Sequence, residues 1–464
     1  MLGDEIAKRV GGTWLDGYGA AIDFERLECR PDRMNAGSGC LFGVFEEYWR
    51  YNQWFDLEKL ESLVRVHGPK AVVTDRRIDG YAGAQLLVDD VSDAFGRLVR
   101  LFEGEPDLPM EVIGVTGTNG KTSTVVLISQ ILKAMGRKTG RMGTLGTWVD
   151  GEDWEPGEYT TDLAVDIYRK LRRMHLAGVT SVAMEVSSHG LALGRVAGLA
   201  FAGAVVTNVT RDHLEFHQTL EAYQGAKRRL VETLSARAVV AINVDDLVAR
   251  TFVGATEAQV ITFGMSEDAD LRLGAQQYDG SGTRFEVEWK GHAFLGRTRL
   301  VGQFQLMNLL GAMAILVGRG YAMDQVIEGA KSVVSVPGRM ETVALTSGAI
   351  GVIDYAHNPD GLEHLLIDAR ALKPQRLILV FGCGGDRDVG KRPLMGALAS
   401  KGADLVWITS DNPRTEEPEK IIADIYAGVS GSVGVRIESD RRRAITAACE
   451  EAREGDVVVV AGKG

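Results

Sequence analysis

The sequence predicts an α/β protein of three domains. Three observations carry that expectation. Length is the first: 464 residues, at roughly 150 residues per domain, suggest about three. The second is that β-rich runs alternate with helical ones from about residue 110 onward, the pattern of parallel sheets covered on both faces. The third is glycine usage, 56 residues against 11 prolines. Many glycines without a short repeat suit tight strand-to-helix turns rather than a fibrous or disordered chain. The expected parts are a small α/β N-terminal domain over 1–107, a central domain over 108–336 and a Rossmann-like C-terminal domain over 337–464.

Residues 1–107 are irregular. Cys40-Leu41-Phe42-Gly43-Val44-Phe45 and Ala71-Val72-Val73 read as strands, and Pro106 to Pro109 as a linker. Glu111 to Thr116 is a β-rich run ending in a glycine-rich turn. Lys121 to Met135 follows with Val125, Ile128, Leu132 and Met135 at helical spacing. Further strands are expected at Ser181–Val186, Ala204–Asn208 and Val239–Asn243. Residues 269–301 alternate apolar and polar at Leu271-Arg272-Leu273, Phe285 to Trp289 and Thr298-Arg299-Leu300, which predicts a small antiparallel insert. A helix is expected from about Asn308. Strands at Gly351–Tyr355, Leu377–Phe381, Leu405–Thr409 and Val457–Val460 then make a second doubly wound sheet.

Bulk chemistry excludes several classes. A net charge of −11 and the lack of a Lys/Arg block argue against a nucleic-acid binder; Asp440-Arg441-Arg442-Arg443 reads as a helix start. The four cysteines, Cys29, Cys40, Cys383 and Cys449, form no CxxC pair, so neither a zinc site nor a disulfide framework is expected. Asp4 and Glu5 stand where a signal peptide needs basic then apolar residues, and no run approaches a membrane span. A cytoplasmic monomer without membrane insertion is expected.

Gly117-Thr118-Asn119-Gly120-Lys121-Thr122 is the strongest local signal. Glycines let backbone N–H groups turn toward phosphate oxygens, and the following helix adds partial positive charge. Lys121 can reach the β- and γ-phosphates, and the Thr122 hydroxyl can bind Mg²⁺. The first glycine of the strict motif would fall on Val115. The strand before and helix after make the central sheet P-loop ATPase-like.

Other strand ends leave alternatives open. Glu185 closes an apolar run, where α/β sheets bind ligands; it is either a Mg²⁺ ligand or a solvated carboxylate. Ser187-Ser188-His189-Gly190 and Arg195 either hold an anion or form a polar turn. His213, beside Asp212, is a metal candidate or a surface residue. Lys227 reads by itself as a solvated helix lysine.

Taken in order, these motifs resemble the Mur ligases over about residues 110–464. The matching runs are Gly117–Thr122, Glu185-Val-Ser-Ser-His189, Asn208-x-x-x-Asp212-His213-Leu214, Pro337-Gly338-Arg339-Met340-Glu341, Asp354-Tyr-Ala-His-Asn-Pro-Asp360, Phe381 to Asp386 with Lys391-Arg392-Pro393, and Asp411-Asn412-Pro413-Arg414. The resemblance implies an ADP-forming acid–amino-acid ligase of peptidoglycan precursor synthesis, and hence of cell-wall biogenesis, cell shape and division. It implies ATP and Mg²⁺ on Lys121 and Thr122, metal on Glu185 and His213, and carbamylated Lys227 as a further metal group. Gly117, Thr118, Asn119, Gly120, Asn308, Arg339, Asp354 and His357 would complete the ATP site. Thr160, Thr161, Ser187 and Arg195 would hold a UDP-muramoyl dipeptide.

The Asp411-Asn412-Pro413-Arg414 pattern is that of members adding meso-diaminopimelate. A guanidinium can grip that amino acid's extra carboxylate through two parallel hydrogen bonds, from Arg414 or Arg387. The resemblance also implies Gly464 at this pocket, with a following segment that relatives continue from His-Glu. Lysine-adding and folylpolyglutamate-synthase-like ligases are the alternatives within enzymes, and a non-catalytic nucleotide-dependent binding protein outside them. Departures cluster early: Pro31-Asp32-Arg33-Met34 with Ser38-Gly39-Cys40-Leu41-Phe42 is spaced one residue off, and Glu46-Glu47-Tyr48-Trp49-Arg50 replaces an Asp-Gly-His stretch. Asp162 stands where many relatives have proline, and Gln305 where Asn is common.

Overall fold

The structure, a computed structural model, describes residues 1–15, 17–29, 40–43, 62, 64, 68–103, 110–278, 282–431 and 433–463. The expected linker at 106–109, the Pro31–Met34 and Glu46–Arg50 motifs and Gly464 lie outside the described residues.

The described chain builds three sheets. The first holds β1 (Thr13–Trp14), β2 (Arg26–Glu28), β3 (Cys40–Gly43), β4 (Ala71–Thr74) and β5 (Ala84–Leu87) in the order β1-β5-β4-β3-β2. It is parallel except for β1. Its core does not close by itself. Leu163, Ala164, Val165 and Tyr168, at the start of the helix Ala164–Leu176, pack among Ile6, Phe24, Leu41, Val73 and Phe95. On the same helix, Arg169 donates to Glu28 (3.3 Å) and Glu103 (3.0 Å).

The second sheet has β6 (Glu111–Thr116), β7 (Thr139–Gly143), β8 (Gly146–Val149), β9 (Glu152–Glu155), β10 (Ser181–Glu185), β11 (Gly203–Val206), β12 (Val239–Asn243), β13 (Gln259–Gly264), β14 (Leu271–Tyr278), β15 (Thr283–Trp289) and β16 (His292–Thr298). Its order is β16-β15-β14-β13-β12-β11-β6-β10-β7-β8-β9. The run from β7 to β14 is parallel, and both ends finish in antiparallel strands. The antiparallel segment expected at 269–301 is therefore no separate insert, because β14 pairs with β13 through Phe263↔Leu271 and Gly264↔Arg272. Its third strand lies at His292–Thr298 rather than at Thr298–Leu300. The helix expected from Asn308 begins earlier, as Gln303–Gly318. The amphipathic reading missed that start because this helix is buried almost all round, against the helix Lys121–Ala134.

The third sheet contains β17 (Glu341–Ala344), β18 (Ile350–Asp354), β19 (Leu377–Phe381), β20 (Leu405–Ile408), β21 (Gly434–Ile437) and β22 (Val457–Ala461), in the order β17-β18-β22-β19-β20-β21. All but β17 run parallel. In both large sheets the chain leaves the central strand and returns on its other side. That is where α/β sheets open a crevice beyond the strand ends.

Candidate active site

The crevice of the second sheet is formed by the turn after β6. Asn208, just past β11, clamps that turn: it accepts from Asn119 N–H at 2.9 Å and donates to Asn119 O at 3.1 Å. The Thr118 hydroxyl meets Tyr223 Oη at 2.8 Å. Gly120 has φ +87°, and a Cβ there would sit 2.2 Å from Asn308 Oδ1. Only glycine admits both that backbone and that approach. Asn308 is buried, and its Nδ2 has no partner among the described residues. A buried amide left unpaired is costly, so this donor is available to a bound nucleotide.

Two lysines converge on the loop. Lys121 Nζ donates to Gly117 O and Thr118 O, each at 2.9 Å, and Lys227 Nζ donates to the same Gly117 O at 2.6 Å. Lys227 is 1 % exposed and lies over the Tyr223 ring at 4.7 Å. This removes the solvated-lysine reading of Lys227. Burial lowers the Lys227 pKa well below the ordinary lysine value, Lys121 lowers it further, and Asp212 opposes. Burial also lowers the Lys121 pKa, against the pull of Glu185 and Asp212.

Glu185, at the end of β10, is buried too, so it is not a solvated strand end. It accepts from Thr122 Oγ1 at 2.9 Å and from Thr144 N–H at 2.8 Å. The Arg339 guanidinium reaches Thr122 Oγ1 at 3.2 Å and stacks over Tyr355. A hydroxyl beside a carboxylate is an all-oxygen donor set, which suits Mg²⁺. Among the described residues no three His, Cys, Asp or Glu side chains form a metal cluster. Mg²⁺ sites of this kind draw remaining ligands from water and substrate phosphate, so the residues fit that ion. His213 takes a left-handed backbone (φ +53°). It stands near Glu215 (3.5 Å), Asp212 (3.8 Å) and the His189 ring (4.7 Å) rather than at the Thr122–Glu185 pair.

The third sheet supplies the other side. Asn358 is buried and caps the helix Pro359–Ala371. Its Nδ2 reaches Asn119 Oδ1 and Asp212 Oδ2, each at 3.2 Å. Asp360 accepts from Asn119 Nδ2 at 2.7 Å. Burial drives the His357 pKa down to about 4, although Asp212 stands 3.9 Å away. Asp354 is clamped by the N–H groups of Met340 and Ala356, both at 2.7 Å, and burial raises its pKa.

The residues expected to hold a muramoyl peptide gather beside Glu185. Thr160 meets Thr144 at 3.1 Å, Thr161 donates to Glu185 O at 3.0 Å, and Arg195 donates to Thr161 O at 2.7 Å. Ser187 spends its hydroxyl capping the turn at Gly190. At the edge of the third sheet, Arg414 (φ +50°) donates to Gly385 O. Arg387 pairs across to Glu215 at 3.1 Å. The two side chains flank Gly384, where a Cβ would lie 3.0 Å from Arg414 Nη1 and 3.9 Å from the aliphatic Cγ of Arg387. After burial, the Arg387 charge is the next cause that lowers the Arg414 pKa. Asp411 is nearly buried, with Lys463 at 3.8 Å, and Asn412 O accepts from Gly385 N–H at 2.9 Å. Sequence reasoning missed Thr144, Tyr223 and the roles of Asn358 and Asp360. For Asn358 a signal existed, because Asn followed by Pro marks a helix start.

A glycine-rich loop between strand and helix, met by Asn358 and Asp360 of a second α/β unit, has the form found in nucleotide-dependent enzymes. Residues 115–316 match the family model "Mur ligase middle domain" and residues 338–464 match "Mur ligase, glutamate ligase domain". The UDP-N-acetylmuramoyl-L-alanyl-D-glutamate–2,6-diaminopimelate ligase of Geobacillus kaustophilus is 37 % identical over 99 % of this chain and 93 % of its own. A solved structure of a ligase of that name superposes with TM-score 0.70 at 31 % identity, covering 100 % of this chain and 93 % of that one. The MurF ligase from Thermotoga maritima in complex with ADP shares the fold (TM-score 0.65, 19 % identity, 95 % and 94 % covered). The chain belongs to the Mur ligase family.

Proposed function

We propose that this ligase joins meso-diaminopimelate to the D-glutamate of UDP-N-acetylmuramoyl-L-alanyl-D-glutamate at the expense of ATP, in peptidoglycan precursor synthesis. The observation that carries the amino-acid assignment is the pair of arginines at Gly384: Arg414 Nη1 and the Arg387 stem flank it, and the Arg387 charge acts on Arg414. Two like charges held together suit an anionic ligand, and diaminopimelate differs from lysine by one carboxylate.

In this reading 1–107 takes the UDP end, 108–336 takes ATP and 337–464 takes the amino acid. A γ-carboxylate oxygen of D-glutamate attacks the γ-phosphorus of ATP, and ADP leaves. The neutral amine then attacks the acyl carbon, phosphate leaves and the amine loses a proton. Lys121 and the loop N–H groups offset charge on the transferring phosphoryl group. Asn308, Arg339 and His357 place the nucleotide; Thr160, Thr161 and Arg195 place the peptide, so that most of the rate comes from positioning. Thr122 and Glu185, with His213 and the Lys227 carbamate, would hold Mg²⁺, which when bound would supply Lewis-acid charge neutralisation.

Lys227 is carbamylated in this reading. Its buried amine is shifted toward the neutral, nucleophilic form. The neutral amine attacks the carbon of CO₂ and loses one proton, so a group whose protonated form repels Lys121 becomes an anion that attracts it. A carbonyl signal on ¹³C-bicarbonate labelling, absent in Lys227→Ala, is expected.

The deciding assay follows ADP and amide product with Mg-ATP, the UDP-muramoyl dipeptide and either meso-diaminopimelate, lysine or no amino acid. Product with diaminopimelate alone is expected. Turnover with lysine would overturn the amino-acid assignment, and no turnover with either would overturn the substrate.

A further inference from the structure

The helix Gln303–Gly318 starts at Gly302, which offers no side-chain cap. Its first N–H groups would be orphans. They are satisfied from the third sheet's unit: Asp368 accepts from Gln303 N–H at 2.9 Å and from Phe304 N–H at 3.3 Å. The approach is so close that a Cβ on Gly302 would lie 2.3 Å from the Asp368 carboxyl carbon. One turn back on the helix Pro359–Ala371, His364 stacks on Phe304 at 4.7 Å and pairs with Asp360 at 3.6 Å. Asp360 in turn holds Asn119 of the phosphate loop. Residues 360, 364 and 368 share one helix face by their spacing of four.

We propose that Asp360, His364 and Asp368 form a clasp that positions the amino-acid unit over the nucleotide site, and that Asp368 makes its closure proton-dependent. The clasp touches both sides of that site. Asp360 holds Asn119, next to Gly120, and Asp368 fixes the helix that carries Asn308 against Gly120. These are positioning residues. None is assigned above to substrate.

Burial is the cause of the proton dependence. It raises the Asp368 pKa to about 7; the two capping N–H groups and His364 oppose this, and Asp354 adds to it. On the neighbouring helix Lys391–Gly402, Lys391 is engaged on His357 O and Arg392 on Glu416 and Asp424, and Lys401 in its last turn is exposed. β22 brings no titratable side chain to it. With the unit undocked, Asp368 would be solvated and return toward the ordinary carboxylate value. The docked state thus binds its proton more tightly. Docking is strongest below the ordinary carboxylate range and weakens as pH rises through about 7.

The inference rests on the nucleotide-site reading, and one set of measurements separates the two. Small-angle scattering would follow the full chain at pH 6 and pH 8.5, with and without ADP, beside calorimetric ADP binding. The wild-type chain should be more compact at pH 6. Asp368→Asn keeps an acceptor without the charge, so it should be compact at both values. Asp368→Ala should stay extended at both and bind ADP about tenfold more weakly. Asp368→Ala as compact as wild type, or Asp368→Asn with the wild-type pH dependence, overturns the clasp. A wild-type chain that compacts with acid yet binds no ADP refutes the nucleotide reading and leaves the clasp standing.

Discussion

The loop after β6 and the Arg387–Arg414 edge of the third sheet, proposed above for nucleotide and amino acid, both lie at strand ends, yet they are built differently. At the loop, Lys227, Thr122 and Glu185 are buried and Lys121 is half-buried, and all four are within hydrogen-bond reach of another member of the loop or its flank. At the edge, Arg387 and Arg414 are partly exposed, and Arg387 pairs with a carboxylate of the other unit. A braced site is formed before its ligand arrives. A site of long exposed side chains must exchange partners to bind; under the proposed function, Glu215 would release Arg387 to a substrate carboxylate.

The largest effect should come from breaking the braced side. Lys121→Ala should lower kcat about 1,000-fold, the scale of losing one preorganised charge donor, with little change in thermal stability. Lys227→Met should cost roughly 100-fold in kcat by the same reasoning, without recovery on raising nucleotide. At the exchanging edge, Arg414→Ala should raise KM for diaminopimelate by roughly 30- to 100-fold, as expected for about 2–3 kcal/mol of charge-assisted hydrogen bonding. Its kcat at saturating amino acid should change far less. Equal losses in KM and kcat at Arg414 would erase the contrast between the two sites.

Smaller effects test what anchors the edge. Arg392 is fully buried and holds Glu416 at 2.7 Å and Asp424 at 2.9 Å, while Glu416 also accepts from Asp386 N–H at 2.6 Å. Arg392→Met should cost about 2 kcal/mol in urea unfolding, below the usual figure for a fully buried pair because the carboxylates are partly exposed. Hydrogen bonding to Arg392 lowers the Glu416 pKa to about 2. A depressed carboxylate stabilises the fold above its ordinary value near 4.5, and that share is lost as pH falls toward 2. Acid unfolding of wild type and Arg392→Met should therefore converge only as pH reaches about 2.

Legibility in the sequence followed the range of each interaction. Gly117 to Thr122 was readable because its strand, turn and helix are consecutive in the chain. The strands β6, β10, β12 and β19 were readable from apolar runs buried on both faces. β17 and β21 were not, since edge strands with mostly exposed residues carry no such run. Lys227 was unreadable from local pattern. Its burial depends on Gly117, 110 positions away, and only the family resemblance pointed to it. The contact of Asn119 with Asp360 spans 241 positions, and no periodicity reports such a meeting. The start of the helix at Gln303 was hidden for a related reason: its cap belongs to another part of the chain.

The first sheet borrows Leu163, Ala164, Val165 and Tyr168 to finish its interior. A chain emerging from the ribosome N-terminus first would present that apolar surface before its cover has been made. The early part of the protein cannot mature as a free-standing module during synthesis; its folding must wait for about sixty further residues to be translated.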